Sequence, residues 1–137
     1  MNTASHVAVS NRRNLRLRWS GITTLLAIII FMEAVFAGAM LSGIDWARGA
    51  HSVNALIVTA VTMGAGFGGV LTLRNTRHGL RLGLSLLSLA ALMLLQIAIG
   101  VLQSRGTNLL WLHIPLGVAV VSFAVHAVTV ARRLGED

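Results

Sequence analysis

The sequence predicts an all-α integral membrane protein, in which residues 1–137 form a single transmembrane domain folded as a four-helix up-down bundle. Of the 137 residues, 55% are hydrophobic and 11% are charged. A helix needs about 20 mostly apolar residues to cross a bilayer. Four apolar runs of this length are present, at about 19–42, 52–73, 81–103 and 109–131. Little of the chain lies outside these four runs, so no separate soluble domain is expected.

The positions of the arginines predict the orientation of the chain in the membrane. Nine arginines lie before the first run, between the second and third runs, or after the fourth. They are Arg12, Arg13, Arg16, Arg18, Arg74, Arg77, Arg81, Arg132 and Arg133. Only Arg48 and Arg105 lie in the other two loops. Because cytoplasmic loops are enriched in basic residues, both termini are predicted to be cytoplasmic. We expect a location in the bacterial cytoplasmic membrane, with the arginines contacting anionic lipids rather than nucleic acid.

Each run has features expected of one helix, and short loops between successive runs predict antiparallel neighbours. The first run has Glu33 well inside apolar sequence, and the second begins near His51 and ends in a glycine-rich segment. Small residues of this kind allow helices to approach closely in membranes, and they can equally make room for a flat cofactor. The third run is rich in leucine and carries Gln96 and Gly100 towards its outer end. The fourth has the only proline, Pro115, in its first turns, where a missing N–H costs least.

Two histidines are predicted to lie in the outer leaflet. His51 is at the outer end of the second helix, and His113 lies a few residues into the fourth. Histidine is the commonest metal ligand and an axial ligand of haem iron, and bundles build cofactor sites from facing helices. The pair therefore predicts ligation of one haem b, with electron transfer favoured because bis-histidine iron has no open position. The alternative is that His51 is a solvated loop residue.

Four further residues are candidates for contacts with this haem. Arg48 and Arg105 are the only outer-side arginines, and a guanidinium group binds a propionate carboxylate in a bidentate fork. Gly100 and Gly117 are candidates for close approach of the porphyrin, although glycine is common in membrane helices.

A separate set of polar residues is a candidate proton or quinone site. Glu33 is the only acid within a membrane span, and His126 and Gln96 are the other members. His126 lies about 20 Å along the helix axis from His113, in the inner leaflet, so it cannot share a site with it. It either hydrogen-bonds or ligates a second haem. For Glu33 and Gln96, the alternative is hydrogen bonding between neighbouring helices.

Parts of the chain resemble one half of the haem A synthase family. The segment LQIAIGVLQSRGTNLLWLHIPLGVAV, Leu95–Val120, has Leu-Gln-Ile, a nearby glycine, a short outer loop and Leu-His opening the next helix. FAGAMLSG followed by DWARGAH resembles the end of the first helix and the histidine that starts the second. That family has two four-helix halves, each with an outer histidine pair. The resemblance implies that His51 and His113 ligate haem and that two copies of this chain pair.

The departures from that family bear on activity. The family has a catalytic glutamate three residues before the second-helix histidine, and this chain has Arg48 there. Its Arg-Thr stretch after the first helix is replaced by Ala39, Met40 and Leu41. The resemblance therefore implies a haem-binding frame without haem A synthesis, and whether the chain has any enzymatic turnover is left open.

Other classes of membrane protein fit the same sequence. One is a cofactor-free structural or assembly subunit of a larger membrane complex, in which the glycines pack helices and the histidines hydrogen-bond. Another is a small transporter or proton-conducting unit centred on Glu33. The chain has no cysteine, which excludes disulfides and thiolate ligands, and it has no phosphate-binding loop or nucleophile elbow.

Overall fold

A computed structural model describes residues 3–136, which form four α-helices joined by short loops. These helices are α1, Thr3–Leu41, α2, Asp45–Leu73, α3, Arg77–Ser104, and α4, Leu110–Arg132. Each of the four is long and apolar enough to cross a membrane. An all-helical membrane bundle is therefore confirmed.

The first three helices begin earlier than hydropathy alone predicts, whereas α4 begins within one residue of the predicted start. α1 starts at Thr3, because its polar and arginine-containing segment contains no glycine or proline and consists largely of residues compatible with a helix. α2 starts at Asp45, whose carboxylate suits the positive end of the helix dipole. α3 starts at Arg77 after Thr76, whose hydroxyl oxygen accepts a hydrogen bond from the Gly79 N–H at 3.1 Å. His51 therefore lies in the second turn of α2 and not at its first residue.

The four helices pack in a ring. α1 contacts α2 and α4, and α3 contacts the same two helices. Within the described residues, the backbones of the diagonal pairs, α1 with α3 and α2 with α4, do not come into contact. All four helices expose large apolar side chains, as expected for a surface in contact with lipid; examples are Ile28, Phe31, Ile57, Leu71, Leu84, Leu94, Val118 and Val125.

The buried core is concentrated in one half of the bundle, which we call the basic half because it ends at Arg77 on α3 and Arg132 on α4. Its buried apolar residues are Leu26, Ile30, Val58, Leu73, Leu82, Leu86, Leu89, Ala90, Met93, Val120, Ala124, Ala127, Val130, Ala131 and Leu134. In the helical segments of the other half, 31–41, 45–57 and 94–104, together with 110–119, only Ala47 and Ile99 are buried. We call this the histidine half, because it contains His51 and His113.

Close contact between α2 and α3 depends on glycine. A Cβ atom at Gly83 would lie 2.5 Å from the backbone nitrogen of Val70, and one at Gly69 would lie 3.1 Å from the Gly83 Cα. Neither backbone can yield without moving a helix. The glycines of the second run thus serve helix packing at Gly69, as the sequence suggested.

We expect Gly83→Ala to destabilise the bundle by about 1–3 kcal/mol, the usual cost of adding a methyl group to a packed contact. Thermal unfolding of the detergent-solubilised protein measures the effect as a lower Tm. Gly64→Ala on α2 is the control, because a Cβ atom there would meet no atom within 4 Å. Equal Tm values for the two variants would contradict the proposed role of Gly83.

Candidate functional site

The structure brings His51 and His113 together across the bundle. Their ring centroids are 6.4 Å apart, and the ring planes make an angle of 75°. Both residues are partly buried, although α2 and α4 are not backbone neighbours. The two imidazoles therefore meet across a diagonal of the ring, in the half of the molecule where few side chains are buried.

His51 is held from α1 by a residue that the sequence analysis assigned elsewhere. Its Nδ1 atom lies 2.6 Å from the Oε2 atom of Glu33, and these two side chains are 21% and 16% exposed. The side-chain amide of Asn54 donates to the other carboxylate oxygen of Glu33 and, at 3.3 Å, to the carbonyl of Ile29. Glu33 therefore lies beside His51, and any proton or quinone chemistry of this carboxylate would take place at the histidine pair.

Asn54 is a site residue that the sequence patterns did not predict. It lies three residues after His51, so both side chains are on the same face of α2. The sequence signal that could have indicated it is a carboxamide side chain in an apolar segment, three residues after the histidine. Its two hydrogen bonds to α1 fix the Glu33 carboxylate beside the imidazole.

Gln96 and two glycines surround His113. The Gln96 side-chain amide donates to the backbone carbonyl of His113 at 2.8 Å, which confirms the alternative of a hydrogen bond between helices. A Cβ atom at Gly100 would lie 3.2 Å from the His113 Cε1 atom, and one at Gly117 would lie 3.1 Å from the Gln96 Nε2 atom. In this structure the two glycines therefore make room for the imidazole and the amide.

The donor set is compatible with a bis-histidine haem. With metal–nitrogen bonds of about 2.0 Å, two imidazoles on opposite sides of one metal ion have ring centroids roughly 6 Å apart, close to the observed separation. Ligating histidines usually give their second ring nitrogen to a carboxylate or carbonyl group. The contact of the Glu33 carboxylate with the Nδ1 atom of His51 is of this kind, and it would leave Nε2 as the atom that could bind a metal. The Nδ1 atom of His113 is buried without a hydrogen-bond partner among the described residues.

The two outer-side arginines lie at helix ends. Arg48 is in the first turn of α2, one turn before His51, and Arg105 is the C-cap of α3, five residues after Gly100. Both are exposed, and neither forms an ion pair within residues 3–136. Their guanidinium groups are therefore accessible to a carboxylate at this end of the bundle.

Of the predicted proton or quinone set, Glu33 and Gln96 both lie at the histidine pair, whereas His126 is separate from them. Glu33 contacts His51, Gln96 binds the backbone at His113, and His126 is exposed with its ring centroid 5.7 Å from that of Phe123. His126 instead lines a cavity in the basic half together with His78, Arg81, Thr129, Val130 and Arg133.

Comparison with models of known protein families, with curated proteins and with solved structures found no match to this chain. Within residues 3–136, no group of three or more histidine, cysteine, aspartate or glutamate side chains is placed to hold a metal ion. A haem needs only two axial ligands, so the pair formed by His51 and His113 is the arrangement on which a functional proposal rests.

Proposed function

We propose that this chain is a small b-type cytochrome-like membrane protein in which His51 and His113 ligate one haem b. The observation that carries the proposal is the pairing of the two imidazoles, 6.4 Å apart between centroids, in the sparsely packed histidine half. A planar cofactor there would cover apolar surface that the four helices leave exposed or half-buried. The proposed roles are electron transfer, with a quinol as a candidate donor, or the holding of haem for transfer.

The residues around the pair would orient the ligands. Glu33, fixed by Asn54, holds the Nδ1 side of the His51 ring, and Gln96 fixes the backbone of α4 at His113. Arg48 and Arg105 would bind the two propionates at the adjacent helix ends. Haem b held by two imidazoles exchanges single electrons and leaves no site for oxygen.

The proposed topology is an up-down bundle in the bacterial cytoplasmic membrane with both termini in the cytoplasm. Late residues of α1 contact early residues of α2, and early residues of α1 contact late residues of α2. Glu33 contacts His51 near the start of α2, whereas Trp19 lies against Gly69 near its end. This order is expected of antiparallel neighbours. The basic half then faces the cytoplasm, in accordance with the enrichment of arginine in cytoplasmic loops. Pairing of two copies, or assembly into a larger membrane complex, belongs to the same proposal.

The visible absorption spectrum of the purified protein tests the haem proposal. The full chain is expressed with added haem precursor, solubilised in detergent, and measured oxidised and then reduced with dithionite. The proposal predicts the sharp reduced bands of six-coordinate b-type haem. A colourless protein of correct mass and helix content would refute it and would favour a cofactor-free subunit.

A proton-conducting unit is the second candidate, because the partly buried Glu33 carboxylate contacts a titratable imidazole within the apolar spans. Intramembrane groups of this kind are characteristic of proton pathways. Proton flux into liposomes containing the protein distinguishes the candidates. Flux that depends on Glu33 in a colourless protein would support conduction, and absence of flux in a red protein would support the cytochrome.

A further inference from the structure

We infer that the cavity in the basic half binds the phosphate group of an anionic phospholipid. This inference concerns the opposite half of the bundle from the histidine pair and does not depend on haem binding. The cavity has a volume of about 80 Å³, several times the roughly 10–15 Å³ that one water molecule requires. It can hold a small polar group but not a porphyrin.

The cavity is formed by one face of each of two neighbouring helices. His78 and Arg81, three residues apart, come from the first two turns of α3. The remaining lining residues come from α4 and its C-cap. Their spacings of three, one and three residues place them on one helical face, and they are His126, Thr129, Val130 and Arg133. The cavity thus lies where α3 begins and α4 ends.

The charge of the lining suits a monoanion. Arg81 and Arg133 carry permanent positive charge, and no acidic side chain lines the cavity. Within residues 3–136, neither arginine forms an ion pair. Arginine binds phosphate oxygens through two parallel N–H groups, and the two histidines bring further ring nitrogens to the same wall.

The rest of the lining gives the cavity a fixed floor. Val130 is 4% exposed and belongs to the hydrophobic core. The Thr129 hydroxyl donates to the carbonyl of Val125 at 3.0 Å, so this side chain is held against its own helix. Arg133 caps α4, with its N–H bonded to the carbonyl of Val130 at 3.1 Å. The backbone that carries the second guanidinium group is therefore well positioned.

The surroundings favour a lipid over free phosphate. Leu84, one turn beyond Arg81, is 51% exposed, and Val125, next to His126, is 57% exposed. A phospholipid bound with its phosphate in the cavity would lay its acyl chains on this apolar surface. Basic pockets between helices at the cytoplasmic side are a known form of lipid head-group site.

Native mass spectrometry of the full chain tests the inference with phosphatidylglycerol and phosphatidylcholine as probes. The cavity variant is Arg81→Gln with Arg133→Gln, and the matched control is Arg74→Gln with Arg132→Gln, which removes the same charge from residues that do not line the cavity. We expect the wild type and the control to retain phosphatidylglycerol in preference to phosphatidylcholine. The cavity variant should bind phosphatidylglycerol more weakly by on the order of tenfold or more.

A second variant and a competition experiment complete the test. Thr129→Glu places a carboxylate at an exposed lining position and should weaken phosphatidylglycerol binding to a similar extent. Displacement of the lipid by millimolar inorganic phosphate would show that free phosphate, and not a phospholipid, is the ligand of this anion site, and the lipid assignment would be wrong. Equal lipid retention by cavity and control variants would overturn the inference. Loss of a haem in His78→Ala or His126→Ala would overturn it in favour of a second haem, because a porphyrin held by these histidines would occupy the place of the lipid phosphate.

Discussion

Replacement of either His51 or His113 by alanine is expected to remove the b-type absorption bands of the purified protein. Each imidazole supplies one of the two axial bonds, and the surrounding residues offer no third ligand of this type in the described part of the chain. Loss of one ligand leaves an open position on the iron and weakens retention of haem during purification. The measurement is the ratio of reduced-band absorbance to protein, which should fall to background.

The matched control is His126→Ala. This histidine is exposed in the basic half and contacts Phe123, so its removal deletes an imidazole without touching the pair. The bands should be unchanged in this variant. Bands that persist in both His51→Ala and His113→Ala would show that the iron is bound elsewhere, and the proposed site would be wrong.

Replacement of Glu33 is expected to weaken haem binding without changing the iron ligands. The carboxylate holds the Nδ1 side of His51 at 2.6 Å, and removal of such a partner typically lowers metal affinity by about 10–100-fold. Glu33→Ala should show the full effect. Glu33→Gln should show less, because its side-chain oxygen can still accept a hydrogen bond from the imidazole. Titration of the haem-free protein with haem measures the Kd.

The midpoint potential separates this positioning role from a purely structural one. A carboxylate beside the ligand stabilises the more positive, oxidised iron, so the neutral Glu33→Gln variant should have a higher potential than the wild type. Glu136→Gln is the control, since this acid is exposed near the C-terminus of the basic half. Unchanged affinity and potential in both Glu33 variants would remove Glu33 from the haem site and direct attention to proton conduction.

Hydropathy was sufficient to predict four membrane helices, and the order of the helices was sufficient to predict that His51 and His113 lie at the same end of the bundle. The contact of Glu33 with His51 was not predictable, because it depends on the rotation of α1 about its axis relative to α2. Hydrophobic periodicity defines that rotation poorly when lipid surrounds a helix on its outer side. The roles of Gly100 and Gly117 depend on the rotamers of His113 and Gln96, which a sequence does not specify.

The first residues of the helices are poorly predicted by hydropathy, for a reason other than helix rotation. A hydropathy window detects the apolar part of a span, whereas the helix continues as long as the backbone hydrogen bonds are favourable. The polar first part of α1 and the start of α2 at Asp45 are both of this kind. Hydropathy therefore predicts a loop at Arg48, although this residue lies in the first turn of the helix that carries His51.

The unequal packing of the two halves has a consequence for assembly. The basic half has a continuous core, from Leu26 to Leu134, to which all four helices contribute buried residues. The histidine half can then open locally at little cost in buried surface. A large flat molecule dissolved in the bilayer could thus enter sideways between two neighbouring helices of this half, and reach the space between His51 and His113, after the chain has inserted. Loading would be a late step, separable in time from folding.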